Sequence, residues 1–449
     1  MSSIKVSIVM PSLNVKDYMY DCLESVVKQT LKEIEIICVD GGSTDGTLEI
    51  IDSFAKTDGR IRVIHAEKKS YGYQVNLGMA AAQGEYIGIV ETDDLVSPYM
   101  FERLYDAACS MEADIVKSDF FYFTGNGENR ILHRQDMSWT DAGAYHRLID
   151  PLHDRTGFFF YLATWNGIYR REFLEKHHIK HHESPGASYQ DNGFFFLTNA
   201  YARSLYVLHE PLYMLRRDNP NSSVVNTKNM VRILEEYRFI KQLLCLDQYL
   251  YDHFRNEYFY LFTQNCMWIY EHLLYCDKEK YLKEFRSDLL KLLENNIVCY
   301  TTLESHHILF LFQVLHNFEA FIHYTVEPKR LYWNHISQHR KVIIYGAGKF
   351  GKLFFDTITQ EFSAEDIIGF AVSSKEANDN VCRARKVREI EEYLPDCKQC
   401  VVVVAIKEID KGKLVKKLRR MGFQYILYVS WEILYKKDCW WPSMMLEEW

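Results

Sequence analysis

Three short apolar runs, residues 5–10 (KVSIVM), 34–39 (IEIICV) and 86–90 (YIGIV), each empty into a polar loop. Between the first two, Met19, Cys22, Leu23, Val26 and Val27 recur at helical spacing. Apolar, β-branched runs alternating with helical stretches read as a parallel sheet buried on both faces and covered by its own crossover helices. In an open parallel sheet a ligand binds outside the carboxyl ends of the strands. The loops 11–14, 40–45 and 91–94 are therefore expected to border one crevice.

The chemistry at those loops is mostly carboxylate. Glu91-Thr92-Asp93-Asp94 places three acids in four residues where a buried strand ends, an all-oxygen set suited to Mg²⁺ or Mn²⁺. An anionic ligand is expected against that metal, although an acidic stretch after a strand also caps the next helix. Asp40, followed by Gly41-Gly42-Ser43-Thr44-Asp45-Gly46-Thr47, stands where a carboxylate can accept hydrogen bonds from a base or ribose. The glycines let backbone approach a ligand closely, and Asp45 reads first as a cap of the helix beginning near Thr47. Gln74 and Asn76, in SYGYQVN ahead of the small residues 77–82, read either as ligand contacts or as helix caps. A net charge of −8 excludes a nucleic-acid binder, which needs a basic face to neutralise phosphates.

SIVMPSLN, CVDGGSTDGT and YGYQVNLGMAAAQGEYIGIVETDD, in that order, resemble the nucleotide-sugar-binding half of family 2 glycosyltransferases of the GT-A fold. The resemblance spans residues 4–225 and implies Pro11, Asn14, Asp40, Gly42 and Asp45 near the nucleoside, with Gln74 and Asn76 as further donor contacts. It implies Asp93 and Asp94 at ribose and metal, the direct ligand being open between the two, while Glu91 and Thr92 stand where Asp or Ser is usual. Gln190-Asp191 resembles the family's Glu-Asp motif, which implies Asp191 as the catalytic base of an inverting enzyme. Arg216 or Arg217, ahead of DNPNSS, resembles the cation that closes over the diphosphate; a solvated turn is the other reading. The implied activity moves a sugar from a nucleotide diphosphate sugar, UDP favoured, to a hydroxyl of a glycan or lipid-linked glycan in bacterial surface polysaccharide synthesis.

The expected class is α/β: a GT-A domain over 1–228, a helical connector over 229–338, and a small doubly wound Rossmann-like domain over 339–449. The connector is free of glycine and rich in aromatics, with helical patterns at 234–250, 254–275, 281–293 and 308–324. It covers the catalytic domain, or it presents a peripheral membrane face or homo-oligomer contact, as could Trp440, Trp441 and Trp449. His177, His178, His181 and His182 have metal-ligand spacings if helical, but the run reads as extended chain without a partner carboxylate. In the last segment a strand at 341–345 runs into Gly346-Ala347-Gly348-Lys349-Phe350-Gly351, a nucleotide-loop pattern in the right context. Further strands are read at 367–372, 400–405 and 425–429, with helices at 387–393 and 414–421. No acid follows the second strand, which ends in Ser373-Ser374, and Tyr345 and Lys349 belong to the loop itself, so an NAD-dependent sugar-modifying enzyme is the weaker alternative. A nucleotidyltransferase would need a basic, glycine-rich loop after the first strand. The eleven cysteines read as reduced thiols, Cys397 and Cys400 included. The N-terminal apolar run is too short for a signal peptide, and no membrane span is apparent, so a cytoplasmic protein is expected.

Overall fold

The computed structural model describes residues 3–138, 142–220, 231–273, 275–326, 336, 341–359, 363–374, 380–406 and 411–428. The chain forms two compact units, Met1–Cys266 with Lys291–Leu303, and Met267–Leu290 with Glu304–Trp449.

The first unit is built on one sheet. Its strands are β1 (Val6–Ser12), β2 (Ile34–Asp40), β3 (Ile61–His65), β4 (Tyr86–Ile89), β5 (Leu95–Val96), β6 (Ile115–Thr124), β7 (Ile131–Gln135), β8 (Leu148–Ile149), β9 (Gly167–Arg170) and β10 (Leu205–Arg216). They lie in the order β3-β2-β1-β4-β9-β6-β10-β5, with β7 on β6 and β8 on β10. The helices are α1 (Lys16–Val27), α2 (Thr47–Ala55), α3 (Tyr71–Ala81), α4 (Met100–Met111), α5 (Arg171–Lys176), α6 (Gln190–Tyr201) and α7 (Ile233–Leu246). β1 pairs in parallel with β2 on one side and β4 on the other, so the strand order reverses beside it and opens the expected crevice.

β1 runs two residues beyond the break expected at Pro11. Pro11 still pairs with Val39 of β2, and pairing with β4 has already ended at Val9, so the missing N–H is not needed. On the far side, β10 runs parallel to β6 with register shifts around Pro211. Past that irregularity Tyr213 and Met214 pair with Val96 and Leu95 of β5, which brings the end of β10 against the acidic loop.

The small residues of α3 have a packing cause. A Cβ on Gly78 would stand 2.3 Å from Val9 Cγ1 and 3.3 Å from Val39 Cγ2, because the helix lies directly on β1 and β2. Gly78→Ala is expected to destabilise the fold by about 1–3 kcal/mol through overpacking. A chemical denaturation midpoint equal to wild type would show that the strand yields.

The aromatic excess is largely core. Phe158 lies 5.4 Å from Phe254 and Phe196 lies 6.2 Å from Tyr258, ring centre to ring centre, so the start of α8 (Gln248–His272) covers α6. In the second unit Phe310, on α10 (Ser305–His316), meets Tyr270 at 5.2 Å and Phe285, on α9 (Tyr275–Glu294), at 5.6 Å. The helices thus differ at their ends from the sequence pattern, since interior aromatics carry no stop signal. This unit also holds helices at Lys349–Ile358 and Lys411–Arg420 and a sheet in the order β13-β14-β12-β11-β15-β16: β11 (Val342–Tyr345), β12 (Ile367–Val372), β13 (Val381–Cys382), β14 (Arg385–Glu389), β15 (Val401–Val404) and β16 (Tyr425–Tyr428). All its pairings are parallel except β13 with β14. β14 takes the first three residues of the helical stretch expected at 387–393, and a 3₁₀ helix at Ile390–Asp396 holds the rest. Arg385-Lys-Val-Arg-Glu389 shows a single apolar residue, and its extended form comes from pairing with β12. Trp440, Trp441 and Trp449, the proposed boundaries at 228–229 and 338–339, and Asn221 to Ser223 lie outside the described residues. Among the described residues no helix is long and apolar enough to cross a membrane.

Candidate active site

Asp40 ends β2, 2% exposed. Its Oδ2 accepts the backbone N–H groups of Gly42 (2.9 Å) and Ser43 (3.0 Å), while Oδ1 is buried without a partner. A buried anionic oxygen left unpaired costs free energy, and a ligand N–H is the group that would offset it. Gly42 makes the turn with φ +84°, a conformation that L side chains resist. Asn14 is also left-handed (φ +54°); its Oδ1 accepts from Thr44 N at 2.9 Å, so its side chain holds the 41–47 loop. Asp45 accepts from Thr47 N, Thr47 Oγ1 (2.6 Å) and Lys16 N, joining the starts of α1 and α2. Burial works against its charge, but these hydrogen bonds hold its carboxyl below the usual range. Gln74 is buried against Gly41, where a Cβ would meet its Nε2 at 2.3 Å.

Asn76 is neither a cap nor near the start of its helix. Ser70 is the cap, its Oγ accepting from Tyr73 N, so α3 begins six residues earlier than the small-residue run suggested. The Asn76 carboxamide instead clamps the 181–183 segment: Oδ1 accepts from His181 N, and Nδ2 donates to His181 O and Glu183 Oε1.

The acids after β4 take different roles. Asp94 is 1% exposed; its Oδ1 accepts from Arg216 N (2.7 Å) and its Oδ2 from Tyr213 OH (2.8 Å). Burial first, then the neighbouring Asp93 charge, pushes its carboxyl well above the usual range. Thr92 Oγ1 donates to Pro11 O, tying the loop to β1. Asp93 is half-buried, and its Oδ2 accepts from Asn219 Nδ2 at 2.8 Å; its Oδ1 meets no donor among the described residues. Glu91 accepts from Tyr71 OH at 2.5 Å, and burial, with the charges of Asp93 and Asp191, pushes it up to about 8. Crowded carboxylates that raise one another in this way suit a divalent cation, and Asp93 has the oxygen to offer.

The two arginines are not equivalent. Arg216 is the last residue of a strand, not part of a turn, and is 4% exposed between Tyr18 (4.8 Å) and Phe123 (4.5 Å). Its Nε donates to Asp93 O and its Nη1 to Asp218 Oδ1 and Asn126 Oδ1. Arg217 is exposed, stacked 4.2 Å over Tyr122 with Nη2 donating to Tyr161 OH.

Asp191 lies in the first turn of α6, one residue past Gln190; the cap position belongs to Tyr189, which is left-handed at φ +65°. Burial, and then the charge of Glu236, pushes its carboxyl up to about 6, and its Oδ1 accepts from Asn192 Nδ2 at 3.1 Å. Asp191 in turn acts on Glu91, so the structure sets it within electrostatic range of the acidic loop. The histidines before α6 are separated rather than clustered. His177 stacks on Tyr201, and His181 is buried on Phe194 at 4.2 Å with neither ring nitrogen bonded, held down to about 3 by burial. His182 Nδ1 lies 2.8 Å from Glu236 Oε2. The partner carboxylate absent from the local sequence thus comes from α7.

Several groups here carry no sequence signal. Lys117 is buried on β6, its Nζ donating to Ala163 O, Asn166 Oδ1 and Tyr169 OH; burial holds it well below the usual lysine range. It fixes the turn that sets Trp165 against Tyr213 at 4.4 Å. Asp119, Asp136 and His209 each offer one ligand atom within 4.8 Å of the others. Arg134 already joins them, donating to Asp119 Oδ2 (2.8 Å) and Asp136 Oδ1 (3.0 Å), and Asp119 Oδ1 accepts from Met137 N and Tyr145 OH. A guanidinium therefore stands where a cation would.

In the second unit, Gly346 (φ +114°) and Gly351 serve the loop's own packing: a Cβ on Gly351 would stand 1.8 Å from Gly346 O. Gly348 has open space around it. Tyr345 OH bonds Ser373 Oγ at the end of β12, where a dinucleotide fold carries an acid.

Residues 7–178 match Glycosyl transferase family 2. The chain is 34% identical over 226 residues to the uncharacterized glycosyltransferase EpsJ of Bacillus subtilis, covering 48% of this chain and 62% of that protein. It is 32% identical over 231 residues to glycosyltransferase GlyG of Streptococcus pneumoniae, covering 47% of this chain and 70% of GlyG. Among solved structures it is similar to S. aureus TarS 1-349 in complex with UDP-GlcNAc, at TM-score 0.46 and 18% identity, covering 63% of this chain and 80% of that one. The match to EpsJ thus leaves more than a third of that protein uncovered.

Proposed function

The chain belongs to glycosyl transferase family 2, and from that premise we propose that it moves a sugar, with inversion, from a nucleoside diphosphate donor to a hydroxyl of a glycan or lipid-linked glycan. Bacterial surface polysaccharide synthesis is the setting, and the inner face of a membrane the place where such an acceptor would be met. The observation that carries this reading is Asp191, poised on the first turn of α6 within range of the acidic loop.

Asp191 takes the proton of the acceptor hydroxyl as its oxygen attacks the anomeric carbon. The bond from that carbon to the diphosphate oxygen breaks, and its electron pair stays on the diphosphate. Asp93 would hold a Mg²⁺ or Mn²⁺ ion, whose positive charge would oppose the charge building on the departing diphosphate. Arg216 and Asp94 keep Asp93 in place from below, and Arg217 is the arginine whose charge reaches the surface beside the site. Asp40 Oδ1 would accept a ring N–H of the base, the imide of uracil in a UDP-linked donor or N1–H of guanine in a GDP-linked one.

Thermal melting with UDP, GDP, CDP and NAD⁺, each with and without Mn²⁺, tests this. UDP with Mn²⁺ is expected to raise the melting temperature, with about 2.7 kcal/mol of added stability at a hundredfold excess over Kd. Asp40→Asn should lose most of that shift. Stabilisation by NAD⁺ alone, indifferent to metal, would move the chemistry to the Gly346 loop.

A further inference from the structure

The base of the proposed reaction is held by a helix outside the matched segment 7–178. α7 meets the first turn of α6 through two adjacent residues. Glu236, 2% exposed, accepts Gly193 N at 3.0 Å on Oε1 and is met by His182 Nδ1 at 2.8 Å on Oε2. A Cβ on Gly193 would stand 2.6 Å from Glu236 Oε1, so any side chain there would push that carboxylate out of place. Next to it, Tyr237 OH donates to Asn192 Oδ1 at 3.1 Å, and Asn265 Nδ2 donates to that same hydroxyl at 2.9 Å. Asn192, so oriented, donates to Asp191 Oδ1. His182 is fixed in turn by stacking on Phe239 at 4.1 Å and 3°.

We infer that Glu236 is a positioning residue for Asp191: it anchors the turn that carries the base and sets a buried negative charge against it, strengthening it as a proton acceptor. The inference rests on Asp191 being the base. A backbone N–H and an imidazole on its two oxygens favour the charged form of Glu236, while burial, the larger influence, leaves its carboxyl raised above the usual range. The other titratable groups facing Asp191 are Glu91 after β4, Tyr71 on α3 and Tyr189 at the cap. The tyrosines are neutral near pH 7, all raised by burial. Of the carboxylates, it is Glu236 that hydrogen-bonds the turn carrying Asp191.

The test needs no acceptor. In protein labelled with [4-¹³C]aspartate, one carboxyl signal should titrate near pH 6 and vanish in Asp191→Asn, which assigns it. Glu236→Gln, which keeps an acceptor for Gly193 N, is expected to lower that midpoint by roughly 0.5–1 pH unit, and Glu236→Asp to restore most of it. By reciprocity, Asp191→Asn should lower the titration of Glu236 in [5-¹³C]glutamate-labelled protein, a measurement that stands even if Glu236→Gln does not fold. Unmoved midpoints in both experiments would overturn the inference. If Asp191→Asn kept full transfer, the base assignment would fall instead, whatever the coupling.

Discussion

Asp191→Asn is expected to cut transfer by roughly 10²–10⁴-fold, the usual contribution of a general base, with donor affinity within about twofold of wild type. The substitution is close to isosteric, and its Oδ1 can still accept from Asn192 Nδ2, so the turn should stay in place. The charged form of Asp191 does the work. With its carboxyl pushed up to about 6 by burial and Glu236, kcat should rise as pH climbs through about 6 and level off above it. In Asp191→Asn the residual rate should lose that acid limb. Full turnover in the variant, or an acid limb that persists, would remove Asp191 from the chemistry.

The crevice was legible because it rests on period and punctuation. Runs of β-branched residues ending in Pro11, Asp40 and Glu91 can hardly be read otherwise, and β1, β2 and β4 lie where those runs place them. Asp191 was less visible. A lone acid ahead of an apolar helix carries no catalytic signal of its own, and only the resemblance singled it out. Arg216 and Arg217 look interchangeable in a string. Arg216 ends β10 and is sealed beneath the acidic loop, while Arg217, the first residue past the strand, lies exposed on Tyr122. Glu236 could not be found by local reading, since an acid in the first turn of an amphipathic helix is ordinarily a solvated residue. Its role comes from α7 lying on α6, a contact between segments some forty residues apart. Lys117 and Arg134 were hidden for the same reason: Ala163, Asn166 and Tyr169, which hold the one, and Asp119, which holds the other, are distant in sequence.

The acids of the loop should separate cleanly by mutation. Asp93→Ala removes the carboxylate with an uncommitted oxygen, while Asp94 still holds Arg216 N and Tyr213 OH. Its folding stability is expected within about 1 kcal/mol of wild type. Its Mn²⁺-dependent stabilisation by UDP should be lost, and turnover should fall at least about 10²-fold, as expected when charge on a leaving group goes unopposed. Asp94→Ala is a different lesion. It strands a buried backbone N–H and a buried phenol, each costing about 1–3 kcal/mol, and frees the end of β10 from the loop. A fall in unfolding free energy of about 2–5 kcal/mol is expected, with loss of activity following from the collapsed loop rather than from the metal. Denaturation curves and melting shifts on the two variants decide the matter. A stable Asp94→Ala that no longer responds to Mn²⁺, beside an Asp93→Ala that still does, would exchange the two roles. The division would then lie in a rearrangement of the loop on metal binding, since as it stands both Asp94 oxygens are already hydrogen-bonded.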